Sequence, residues 1–298
     1  AYPGGGGAYI VSKDNLGIFP GLVAGAALLI DYVLTVAVSV AAGVAALFSW
    51  LPALLPYRVE LALAAVAIVT LINLRGVRES GTVFAVPTYV FIFSVAAMLA
   101  VGLFRWLTGT LTPLVGSEIL PGTLSQDITA FFVLRAFSAG CTALTGVEAI
   151  SNGIPAFRKP EADNAGKTLI AMVLILGVMF IGITLLGHQV AAIPNESETV
   201  LSQVARAVFG NPLAHAAVQL STALILLLAA NTSFADFPRL SSLIARDGFL
   251  PRPLSNVGDR LVFSNGIVLL GVLASALLIL FRGDTHALLP LYAVGVFL

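Results

Sequence analysis

The chain has 298 residues, of which 58% are hydrophobic and only 10% charged, and its formal net charge is zero. A soluble domain carries about 25% charged residues, so there is too little polar surface here to face water all round, and the zero balance argues against a nucleic-acid-binding surface. Lipid is the solvent this composition fits, and at roughly 20 apolar residues per crossing the length allows about seven or eight helical spans.

The lone Cys141 excludes a disulfide framework and a cysteine-based metal site. Ala1 opens inside a glycine-rich stretch with no charged region ahead of it, unlike a secretory signal. The AYPGGGGAY start reads as the tail of an earlier helix and Leu298 stops inside an apolar run, so a further helix is expected beyond each end.

In chain order, the first span is Leu16–Trp50, a long apolar run holding one acid, Asp31. Val59–Leu74 follows, ending at Arg75 and Arg78, and then Val83–Phe104 with Pro87 near its start. Ile128–Ile154 is rich in Gly, Ser and Thr at its middle and carries Arg135 and Glu148. Thr168–Val190, Leu213–Ala235 and Leu261–Phe281 read as ordinary spans, and Leu288–Leu298 begins another. Apolar stretches this long indicate helices, because barrel strands would alternate every second residue over about ten residues. The expected fold is therefore an all-α polytopic membrane bundle, with residues 1–298 forming a single transmembrane domain and membrane lipids as its surroundings.

Alternate loops differ in basic charge. Lys13, Arg75, Arg78, Arg158, Lys159, Lys167, Arg239, Arg246, Arg252 and Arg260 fall in one set, against Arg58, Arg105, Arg206 and Arg282 in the other. Ten against four places the first set in the cytoplasm. Between two spans on the opposite side, Ser197–Phe209 places Val200, Leu201, Val204, Ala205 and Val208 at helical spacing. The spacing predicts a short interfacial helix, either a moving lid or a static cap.

Two constellations could carry chemistry. An ionised carboxylate in mid-span costs about 2.5–3.5 kcal/mol if it faces lipid, so Asp31 is expected to face the protein interior. Thr35 and Ser39 follow at i+4 and i+8 and make a column with it on one helical face. The column either lines a polar cavity, or its hydroxyls bond back to their own helix. The second constellation is Ser138 to Glu148, in which Gly140 and Gly146 weaken a span at a cost of about 1 kcal/mol each relative to Ala. Thr142, Thr145 and the other hydroxyls there could satisfy backbone groups freed by a break, as in the broken helices of secondary transporters. Thr145 and Glu148 would then face one cavity; alternatively, the small residues are a helix-packing face. Arg135 reads as a gate residue or as a side chain snorkelling to the interface, and Asp236 as a local cap or gating ion pair where its span ends. His188, His215 and His286 show no metal spacing.

YPGGGGAY before a long span, GVEAISNGIPAFRKPEADNAGKT after the Gly-rich one, and ANTSFADFPRLSSLIARDGFLP at a cytoplasmic loop resemble the amino acid–polyamine–organocation (APC) transporter superfamily over essentially the whole chain. The resemblance implies a LeuT-like inverted-repeat transporter of the plasma membrane, entered at the end of helix 2 and left at the start of helix 10, with a broken sixth helix near residues 138–148. DYVLTVAVS is most similar to the KimA-type potassium importers of the KUP group. That likeness implies cation binding by Asp31, Thr35, Ser39, Thr145 and Glu148, with helix 1 and a cytoplasmic regulatory domain lying outside this sequence. Proton-coupled potassium uptake is the first expectation, with K⁺ as transported ion and H⁺ as coupling ion, and no resident cofactor. A proton-coupled amino acid permease, with substrate on the Gly140–Gly146 backbone, is the second. A non-transporting membrane scaffold is the third, and homodimer formation stays open. An oxygen-only donor set suits a hard monovalent cation or a proton, and no TVGYG-like filter sequence points to a channel.

Overall fold

The computed structural model describes residues 7–76, 81–114, 129–141, 157–256 and 263–297, and among them every regular element is helical. A short α1 (Gly7–Leu16) leads into α2 (Ile18–Trp50). The joint is Gly17, at φ 102°, a left-handed value that favours glycine. A 3₁₀ turn at Pro52–Tyr57 precedes α3 (Arg58–Leu74) and α4 (Gly81–Leu107). Then come α5 (Ala130–Cys141), α6 (Glu161–Gln189) and α7 (Val200–Phe209). The series ends with α8 (Pro212–Arg246), a 3₁₀ turn at Arg252–Ser255, α9 (Ser264–Leu280) and α10 (Thr285–Phe297).

Among the described residues, five stretches are long and apolar enough to cross a bilayer: Ile18–Trp50, Pro52–Leu74, Phe84–Leu107, Glu161–Gln189 and Pro212–Arg246. At 1.5 Å per residue α2 and α8 are each about 50 Å long, more than the roughly 30 Å hydrocarbon core, so both project beyond it or tilt. They run antiparallel. Near one end a Cβ on Gly25 would come within 2.9 Å of Ile244, and near the other a Cβ on Gly43 would lie 3.4 Å from the Ala223 carbonyl. The main core gathers around this pair, drawing Val36, Val40, Val66, Phe234, Leu270 and Leu288 from α2, α3, α8, α9 and α10. A second core joins α4, α6, α7 and α8 through Val95, Met98, Leu186, Val204, Val208 and Val218.

Two expected boundaries move outward. α6 begins at Glu161 rather than Thr168, because its polar first turns project past the apolar run, with Glu161 and Asp163 complementing the positive helix end. α8 continues from Ala235 to Arg246. Pro238 removes one backbone donor, and beyond it Ser241 and Ser242 donate to the Pro238 and Arg239 carbonyls at 3.1 and 3.0 Å. Asp236 accordingly sits half-buried inside a helix and does not cap the end of one.

The basic residues segregate as the loop count predicts. At one end Lys13 pairs with Asp247 at 2.6 Å. At the other, Arg58 lies 3.7 Å from Glu196, Arg206 pairs with Glu198 at 2.8 Å, and Arg105 donates to the Val208 carbonyl at 2.6 Å. The more basic end, with Lys13, faces the cytoplasm.

Candidate functional site

The acid of the first constellation is buried: Asp31 is 7% exposed in the inner half of α2, and Ser39 two turns on is 8% exposed. Between them Thr35, half-buried, donates its hydroxyl sideways to the phenol oxygen of Tyr292 on α10, at 3.3 Å. That bond differs from the back-bonding of other hydroxyls in these helices. Ser49, Thr88, Ser94 and Thr184 all donate to the carbonyl four residues back in their own helix, at 2.7–2.9 Å. Thr35 instead crosses a helix–helix interface. Ala42, one turn outward from Ser39, lines a pocket of about 130 Å³ at the outer end, shared with Glu198, Thr199, Asp284 and His286. Asp31, Thr35 and Ser39 themselves do not line this outer pocket.

Tyr292 was not legible as a site residue, because it falls in a short apolar stretch with no neighbouring charge. It is 7% exposed. Its helix α10 packs against both α2 and α5. The described part of α5 is a continuous helix to Cys141, with Gly140 exposed near its end and nothing within 4 Å of where a Cβ would stand. Thr142, Thr145, Gly146 and Glu148 lie outside the described residues, as does the side chain of Arg135. A second link missed in the sequence is Asn73 on α3, which donates to Asn231 on α8 at 2.7 Å. Such amides crossing between membrane helices fix their register.

Both ends of the α2–α8 pair are tied. At the cytoplasmic end Asp247 accepts from Lys13 at 2.6 Å and from the buried Tyr9 hydroxyl at 2.5 Å, holding α1 against α8. The Lys13 bond first, and then the Tyr9 bond, hold the Asp247 carboxyl below its ordinary range. Burial and then the bond to Asp247 push the Tyr9 phenol upward. At the outer end α7 forms as its spacing predicts, with Thr199 accepting from the Ser202 amide and Val204, Ala205 and Val208 buried. Its polar positions are also engaged. Gln203 bonds the backbone of Ile193 in both directions, and the fully buried Ser202 bonds both Glu198 and His215, at 2.9 and 2.8 Å.

Long apolar helices, with charge sorted to two ends, define an integral multi-pass membrane protein. Comparison with known proteins agrees: a family model described as amino acid permease matches residues 1–298. The potassium transporter KimA of Bacillus subtilis (strain 168) is 51% identical over 298 residues, which is all of this chain and 49% of that protein. The chain belongs to the amino acid permease family, within the APC superfamily, and spans about half the length of the curated relative it matches.

Proposed function

We propose that this chain forms the core of a proton-coupled potassium importer of the cell membrane. The observation that carries the reading is the buried Asp31 in a column whose threonine turns away from its own helix to meet Tyr292. A carboxylate supplies the negative field for a cation, and the Thr35, Ser39 and Tyr292 oxygens replace water of hydration. Thr145 and Glu148 would complete the set from the segment after Cys141, with the Gly140, Thr142 and Gly146 backbone beside them. One of the two acids would carry the coupling proton. Arg135 and Asp236 remain candidate gate residues. The 51% identity to a protein named a potassium transporter supports this substrate over the alternative.

That alternative, a proton-coupled amino acid permease, draws on the description of the family model. The two separate in one experiment. The full-length gene is supplied to a bacterium lacking its own potassium uptake and growing on limiting potassium. Rescued growth that amino acids do not compete away supports the importer; absence of rescue together with labelled amino acid uptake supports the permease.

A further inference from the structure

Polar bonds fasten α7 toward α2, α4 and α8 at the outer end of the bundle. Toward α2, the Thr199 amide donates to the Ser49 hydroxyl at 3.0 Å. Toward α4, Arg105 donates to the Ala207 and Val208 carbonyls at the C-terminal end of α7, at 3.1 and 2.6 Å. Toward α8 the contact is a chain of side chains. Arg206 holds Glu198, and the fully buried Ser202 hydroxyl bonds Glu198 at 2.9 Å and the His215 Nε2 at 2.8 Å. Of these contacts the third alone contains an imidazole, whose ordinary pKa of about 6.5 lies in the physiological range. Ser202 has one hydrogen and the Glu198 carboxylate can only accept, so the serine donates to the glutamate and Nε2 donates to the serine. Nδ1 is therefore the nitrogen that takes a second proton, and taking it breaks no bond in the chain.

Protonation changes the strength of this fastening. A charged imidazole N–H is roughly twice as strong a donor as a neutral one. Arg206 and Glu198 form a two-point pair, at 3.2 and 2.8 Å, and their opposite charges largely cancel at the imidazole, so the stronger donor sets the sign. Among the described residues packed around α8 at this end, Arg105 of α4 is spent on α7 carbonyls and Arg58 of α3 lies 3.7 Å from Glu196. Glu60 of α3 is exposed, and the outer half of α2 and all of α9 carry no charged side chain. Glu198, Thr199 and Val200 also line the outer pocket together with Ala42, Ala45 and Phe48 of α2, so what fastens α7 holds part of that wall in place. We propose that His215 is an external pH sensor: its protonated form fastens α7 to α8 beside the outer pocket, and its neutral form lets α7 loosen. The inference does not depend on which solute the protein carries.

The test is hydrogen–deuterium exchange, read by mass spectrometry on the full-length protein in detergent at about pH 5 and about pH 8 and corrected for the pH dependence of intrinsic exchange. Amides of Val200–Phe209 should be about fivefold better protected at the lower pH, the margin between a neutral hydrogen bond and a charged one. His215→Gln keeps a side-chain donor for Ser202 but cannot take a charge, and should give one level of protection at both values. Ser202→Ala keeps the imidazole and removes the link, and should shrink the difference below about twofold. Equal protection of wild-type α7 at the two pH values, or weaker protection in acid, overturns the proposal. So does an acid response that survives His215→Gln, which would move the sensor to another group; His188 and His286 also lie exposed at the outer end.

Discussion

Helices α2 and α6 are close in length, 33 and 29 residues, and both are apolar enough to cross a membrane. Over its most apolar 18-residue window α2 has 56% of its residues buried in the protein and α6 only 6%. The more apolar of the two is the less buried. In water this order would be perverse; in a bilayer it follows from the solvent, because lipid tails receive leucine as readily as a core does. Packing partners and polar side chains are what distinguish an inner helix, and α2 has both: the α8 ridge along its length and the Asp31 column on its face.

A matched pair of glycines gives the strongest way to break that comparison. A Cβ on Gly25 of α2 would lie 2.9 Å from Ile244 and 3.0 Å from Tyr9, whereas nothing lies within 4 Å of one on Gly177 of α6. The Ile244 methyl can turn aside but the buried Tyr9 ring must give way, so Gly25→Ala should destabilise by about 1 kcal/mol through overpacking. Gly177→Ala should be neutral or gain up to about 1 kcal/mol from helix propensity. Thermal unfolding in one detergent reads both, and equal effects would refute the inner and outer assignment. Tyr292→Phe removes the phenol oxygen to which Thr35 donates, and in potassium uptake it should raise KM at least about fivefold with folding intact.

The cytoplasmic tie should matter less, because Lys13 and Asp247 are about one-third exposed: Asp247→Asn should cost under about 1 kcal/mol. Its pH dependence has a definite sign. The lowered Asp247 pKa makes its contribution present above the ordinary value of about 3.9 and lost as pH falls through the lowered one. The raised Tyr9 pKa makes its contribution present below about 10 and lost as pH rises toward the raised value. Proteolysis of the α1–α2 joint should hence be unchanged from about pH 5 to 9 and accelerate on the acid side first. A change near pH 7 would assign the tie to other groups.

Most of the helix pattern could be read from runs of apolar residues, since the bilayer sets their length and the loops between them carry the charge. Boundaries failed where a helix leaves the hydrocarbon: the Glu161–Lys167 turns of α6 and the stretch of α8 past Pro238 are polar enough to pass for loop, yet continue the backbone ladder. The short outer helix α7 was legible because an interfacial helix must be amphipathic, and Val204 and Val208 could not both face water. Asp31 announced itself by the cost of its charge. Tyr292 gave no such signal, since a phenol in an apolar helix costs little and only the approach of α10 to Thr35 reveals its use. Asn73 and Asn231 each look unremarkable alone; their partnership joins positions 158 residues apart, a separation no local pattern records.

If the Asp31 face of α2 binds the transported cation, as proposed, uptake depends on the Asp31 carboxylate. Rubidium uptake into proteoliposomes holding the full-length protein tests it most directly, with Asp31→Asn set against Asp236→Asn and both checked for folding. The account predicts at least a tenfold loss of uptake, about 1.4 kcal/mol or more, for Asp31→Asn and a smaller effect for Asp236→Asn. Uptake by a folded Asp31→Asn protein at the wild-type rate would contradict it.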